Sequence, residues 1–184
     1  MKRIAAAILA ACLATAAQAQ DFATTKPGKD AWWLRTSFNP MHTEVRGIPV
    51  AKIRKDWCKA TEFTLDLIPK KLRDEDDTEK MIKQYGFAFS MEGHFDRSKT
   101  TQVALTGVYQ TCAGKKGSFL LVLDKDTQKI RFVDATPSDT QFAILTSGEK
   151  DIVIAYCLEC DIGGVLRWNA KKKAFGWVKS GRDD

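Results

Sequence analysis

Histidine is nearly missing from this 184-residue chain: His42 and His94 are the two it has. Neither stands in an H-E-x-x-H or another spaced ligand set, whereas a catalytic zinc usually takes three ligands, mostly histidine. The G-x-S-x-G turn that presents a serine nucleophile is missing. So is a phosphate loop: Gly114-Lys115-Lys116-Gly117 is too short for one and reads as a hairpin turn. Beyond residue 19 no run approaches the roughly 18 apolar residues of a membrane span, so the mature chain reads as soluble. Strong charge of one sign is also missing. With 29 Lys+Arg against 23 Asp+Glu the net charge is +6, too mild and too scattered for a nucleic-acid partner. Hydrophobic residues make up 44% of the chain, which argues for a packed core over disorder.

The start of the chain reads as a leader. Met1-Lys2-Arg3 is a short positive region, Ile4 to Ala17 is apolar and Ala-rich, and Ala17-Gln18-Ala19 is a small-x-small cleavage site. That is the layout of a secretory signal peptide. Cleavage after Ala19 leaves about 165 residues and about four net positive charges. The expected location is the bacterial periplasm or the exterior. Leu9-Ala10-Ala11-Cys12 resembles a lipobox, which makes an acyl anchor at Cys12 the alternative. The apolar segment before Cys12 is short, and this favours cleavage at Ala19.

Cys58, Cys112, Cys157 and Cys160 remain after cleavage. In an oxidising compartment four cysteines read as two disulfides. Cys157-Leu158-Glu159-Cys160 is a C-x-x-C, so a thiol–disulfide oxidoreductase is an alternative. That chemistry wants its first cysteine at a helix N-terminus. Here a strand-like run precedes the motif and Gly163-Gly164 follows it, while Glu159 and Asp161 oppose a thiolate. A four-thiolate zinc site would need a second close pair, and Cys58 and Cys112 are far apart in sequence. No metal and no cofactor is expected.

Residues 20–30 are polar and read as a flexible segment, with a single β-rich domain over 31–184. Thr61 to Ile68 alternates as a half-buried strand up to Pro69. Asp74-Glu75-Asp76-Asp77 ahead of Glu79 to Gln84 places acids at the start and lysines in the body of one short helix near 76–84. The acids lack the spacing of a calcium loop. From Tyr85 onward, short runs rich in β-branched and aromatic residues alternate with turns. They cover 101–109, 118–123, 129–134, 141–146, 151–157, 165–168 and 175–178. This spacing predicts a mainly β fold, an antiparallel meander. It would form one twisted sheet, a two-sheet sandwich or a propeller-like fragment. Alternating strands up and down brings Cys112, the 136–140 loop and Cys157 to Cys160 to one end. The favoured pairing is therefore Cys112 with Cys157 or Cys160, with Cys58 taking the remaining partner. Cys58–Cys112 with Cys157–Cys160 is the competing pattern.

Gly93-His94-Phe95-Asp96-Arg97-Ser98-Lys99-Thr100-Thr101-Gln102-Val103-Ala104-Leu105 resembles an FG-GAP/VCBS-type repeat loop. That family carries Gly-Asp-Phe-Asn-Gly-Asp-Gly-x-x-Asp ahead of an apolar strand, binds calcium through the acids and builds antiparallel sheets. Gly93, Phe95, Asp96 and the following strand match. His94, Arg97, Ser98, Lys99 and Gln102 stand at the acidic or glycine positions. The resemblance implies a strand–loop–strand shape, with Asp96 the one surviving ligand position, and no calcium site.

Two features could serve binding. Trp32-Trp33 sets indoles side by side, and in a strand they would face opposite ways. Lys171-Lys172-Lys173 forms a basic hairpin tip at the opposite end from Lys115-Lys116. Solubility and protection of a sheet edge also account for such lysines. The expected function is binding a protein partner in the cell envelope, as an inhibitor, immunity or envelope-associated protein. The alternatives are an enzyme (the oxidoreductase, or a hydrolase using scattered carboxylates) and an envelope polyanion binder.

Overall fold

The computed structural model describes residues 23–24, 31–34, 36–74, 77–138, 141–148, 150–159 and 162–178. The expected leader, with Cys12 and Ala19, and also Cys160, lie outside the described residues. Strands β1 (Ala23–Thr24) and β2 (Ser37–Phe38) pair antiparallel, so part of the expected free N-terminal segment is tied to the domain. Next come the hairpin β3 (Glu44–Val45) and β4 (Ile48–Pro49), helix α1 (Val50–Ile53) and β5 (Trp57–Glu62). Helices α2 (Lys70–Asp74) and α3 (Thr78–Gln84) lead into β6 (Phe87–Ala88) and β7 (Ser90–Gly93). Then follow β8 (Gln102–Thr111), β9 (Lys116–Asp124) and β10 (Ile130–Pro137). The last four are β11 (Ile144–Ser147), β12 (Ile152–Ala155), β13 (Gly163–Asn169) and β14 (Ala174–Trp177).

Strands β5 to β14 form two five-stranded sheets, and β1–β2 and β3–β4 are separate two-stranded pairs. The first runs β10-β9-β8-β5, with β7 sharing the β5 edge of β8; the second runs β14-β13-β12-β11-β6. All pairings are antiparallel. The meander expected from the turn spacing is therefore present, split between two sheets. The split falls between β10 and β11, and Phe89 marks a second crossing where the chain leaves one sheet for the other.

Layering explains the composition of the strands. The β3–β4 hairpin and α1 cover the outer face of the first sheet, where Val45, Ile48 and Ile53 pack with Trp57, Leu105 and Phe119. The inner face meets the second sheet, with Ala104, Leu120 and Val122 against Leu145, Ile154 and Leu166. The centre of the first sheet is thus buried on both faces, and β8 and β9 read as nearly continuous apolar runs for that reason. A third cluster at one end joins Trp32, Phe38 and Phe63 to Leu72, Ile82 and Phe142.

Close packing at Gly107 gives a direct test. A Cβ there would lie 2.3 Å from the Thr61 carbonyl oxygen and 2.6 Å from the Phe119 ring. Both neighbours are buried and cannot yield cheaply. Gly107→Ala should cost about 2–3 kcal/mol in urea unfolding; a neutral result would contradict this approach of β5, β8 and β9.

Three expectations change. The strand expected over 61–68 ends at Glu62. Phe63 donates its N–H to the Thr106 carbonyl and sinks into the core, and Leu65–Leu67 turns as a 3-10 helix. The single expected helix is α3, and α1 and α2 are additional. The favoured disulfide pairing is overturned, because Cys58 bonds Cys112, with Cα atoms 4.9 Å apart. The cause is the β5–β8 pairing, which sets Trp57 opposite Thr111 and so brings the two cysteines together. Cys157 is also disulfide-bonded, to neither of these, and its partner lies outside the described residues.

Candidate binding site

Trp32 and Trp33 do not form a surface. They lie in a 3-10 turn, not a strand, and are 0% and 1% exposed. Their rings meet edge to face at 5.7 Å, and the Trp32 indole N–H donates to Thr78 Oγ1 at 2.9 Å. They anchor the N-terminal segment to α3 and Phe142. The exposed residue of that turn is Leu34.

Lys171, Lys172 and Lys173 are exposed at the β13–β14 turn, as expected. Asn169 Oδ1 accepts the Lys172 backbone N–H at 2.9 Å and shapes the turn, and Lys173 takes a positive φ of 49°. Their ammonium groups have no hydrogen-bond or ion-pair partner among the described residues. The neighbouring Arg167 is occupied: it grips Asp151 with Nη2–Oδ2 at 2.6 Å. That bond, ahead of the opposing effect of burial, holds the Asp151 carboxyl below the usual carboxylate range.

From this tip β14 runs along the rim of the second sheet. The edge strand of the first sheet, β10, passes close by. Phe132 on β10 meets Trp177 on β14 edge to face at 6.0 Å. Trp177 lies over Gly164, where a Cβ would come within 3.0 Å of the indole, and is still 38% exposed. Beside it a shallow groove of about 280 Å³ is lined by Asp134, Tyr156, Gly163, Gly164, Trp177 and Val178. Burial raises the Tyr156 phenol above its ordinary value, although its hydrogen bond with Thr136 opposes the rise. A second groove of about 310 Å³ continues along β14 to Lys172. Among the described residues the rim thus combines a strand edge, an exposed indole, a basic end and the Asp134 carboxylate. Trp177, Phe132 and Tyr156 do not stand out in the sequence. The available signal is topological, since the last strand of a meander has a neighbour on one side only.

The other features are structural. Loop residues 94–101 join β7 to β8, and Asp96 Oδ1 accepts the Ser98 N–H at 2.9 Å. The cation beside Asp96 is Arg131, with Nη2–Oδ2 at 3.0 Å; Arg131 also binds Asp124, with Nη1–Oδ1 at 2.9 Å, and lies 5.3 Å from the Trp168 ring centre. Desolvation alone would raise the Asp96 carboxyl. The Ser98 hydrogen bonds, the Arg131 charge and Gln102 outweigh it and hold the group below its ordinary range. Among the described residues no three His, Cys, Asp or Glu side chains are grouped to hold a metal ion. A groove of about 670 Å³ between α2 and α3 is lined by Arg73, Asp74, Asp77, Glu79, Lys80, Lys83 and Gln84. Its charges largely satisfy one another through Arg73–Glu79 and Lys80–Asp77, while Asp74 holds Lys70. No helix among the described residues is long and apolar enough to cross a membrane.

Comparison with known proteins adds no family: no family model, no curated protein and no solved structure matches the chain.

Proposed function

We propose that this chain is an exported binding protein that acts on a protein partner in the cell envelope and is not itself a catalyst. Its leader is removed after Ala19. The observation that carries the reading is the rim of β14, where Trp177 remains 38% exposed beside a strand edge that no described strand pairs, on a stapled, doubly layered domain. Tryptophan is favoured at the centres of protein interfaces. A thiol oxidoreductase at Cys157 is disfavoured by burial, because that residue is 2% exposed, and thiol exchange needs an accessible sulfur.

Two measurements test the proposal. Intact mass of the mature protein should begin at Gln20; an acylated Cys12 would replace this with the anchored form. Immobilised mature protein should retain a periplasmic protein that co-elutes with it in a stoichiometric complex on size exclusion. Repeated absence of such a complex would count against the reading. The partnerless lysines of the β13–β14 turn favour a second reading, an envelope polyanion binder. That reading expects retention by lipopolysaccharide with steep salt dependence.

A further inference from the structure

We propose that the β14 edge receives an extended, acidic segment of the partner as an added antiparallel strand, with Trp177 as the anchor and Lys171 to Lys173 as the charge clamp. This rests on the binding-protein reading and names the site and the chemistry it takes.

Hydrogen-bond alternation identifies the edge. The Val178 N–H donates to the Val165 carbonyl at 2.8 Å, and Arg167 is opposite Gly176. In an antiparallel ladder every second residue bonds the same neighbour. Ala174, Gly176 and Val178 therefore bond β13, and the backbone groups of Phe175 and Trp177 point outward. No strand pairs on that side among the described residues. Edge strands are usually blunted by proline, bulges or charge. The adjacent edge, β10, has these guards: its register shifts between Ile130 and Phe132, and it ends on Pro137. Strand β14, with the sequence Ala-Phe-Gly-Trp, has none of them within its length. A Cβ at Gly176 would meet nothing within 4 Å, so the face of β14 opposite Phe175 and Trp177 is open there.

Charge selects the occupant. Three partnerless ammonium groups stand where β14 begins, and Asp134 lines the groove where it ends. An antiparallel segment would run from the Asp134 end toward the lysines, so its acidic residues belong at its C-terminal end. A second copy of this chain fits less well. Among the described residues, antiparallel self-pairing would set three lysines of one copy against a single carboxylate, Asp134, of the other.

The test uses the mature, oxidised chain and fluorescein-labelled octapeptides with an alternating Val/Thr core. One carries two glutamates at its C-terminal end, one carries them at its N-terminal end, and one carries none. The first should bind at least about tenfold tighter than the others. N-methylation of alternate core amides should abolish binding in one register and spare it in the other. Trp177→Ala, and separately the triple change of Lys171, Lys172 and Lys173 to Ala, should each weaken binding at least about tenfold. The lysine variant alters exposed turn side chains alone and keeps the test valid should Trp177→Ala misfold. Equal affinity for the three peptides, no binding at millimolar concentration, or indifference to N-methylation would overturn the proposal. So would a self-associated dimer abolished by Trp177→Ala. A lysine-dependent affinity for lipopolysaccharide with no peptide binding would assign the lysines to a polyanion. If a periplasmic partner is still retained by both variants, the binding-protein reading stands and this site falls. If neither peptide nor partner binds, both fall.

Discussion

Arg131→Met should lower the unfolding free energy by about 3–5 kcal/mol at neutral pH. Arg131 is the cation between Asp96 and Asp124, whose side chains are 5% and 9% exposed. Methionine would fill part of the volume and leave two carboxylates buried without a counter-charge. The contact with Trp168 would go as well, a smaller loss of about 1 kcal/mol.

The pH dependence distinguishes this from simple loss of packing. Asp96 is held below the ordinary carboxylate range in the folded protein. Its contribution to stability is therefore present above the unfolded value of about 4, and is lost as pH falls through the lower folded value. Without Arg131 the desolvation of Asp96 weighs more and its carboxyl rises. The gap between variant and parent should therefore be widest near pH 7 and narrow toward about pH 4. Urea unfolding at both values reads it directly. A gap that does not change with pH would show that the cation contributes through volume alone.

The double change Cys58→Ser and Cys112→Ser should cost about 4 kcal/mol, from the loop-closure entropy of a link spanning 54 residues. Both cysteines are exposed, so serine removes little buried area. The effect should lie in the unfolded chain, with a melting temperature lower by roughly 10 °C and a steeper denaturant slope. Reduction cannot replace the mutation, since Cys157 is bonded too. A loss under about 1 kcal/mol would mean that the pairing of β5 with β8 already holds the two ends together without the bond.

Much of the β architecture is legible along the chain because its signals are local. The runs at 118–123 and 129–134 appear as β9 and β10, and the turns around Gly114, Asp126 and Lys172 separate strands as expected. Acids followed by lysines mark α3 for the same local reason. The run at 141–146 shows the limit. β11 begins only at Ile144; ahead of it Gln141 Oε1 accepts the Phe38 N–H at 3.0 Å and the Ala143 carbonyl accepts the Thr106 hydroxyl at 2.9 Å. The site is less legible than the fold. Lys171 to Lys173 lie where the turn spacing puts them, but Trp32 and Trp33 are core, and the exposed indole is Trp177.

By itself, then, the sequence determined the strand and turn periodicity, the short helix and the basic hairpin tip. Each depends on residues within a few positions of one another. Tertiary structure alone decided that Cys58 meets Cys112, that Arg131 closes on Asp96 and Asp124, and that β14 lies at a rim with Trp177 partly exposed. Those outcomes depend on which strands pair across tens of residues and on which layer covers which face. Alternation in sequence says that one face of a strand is buried; the partner that buries it is chosen by the packing of the whole domain.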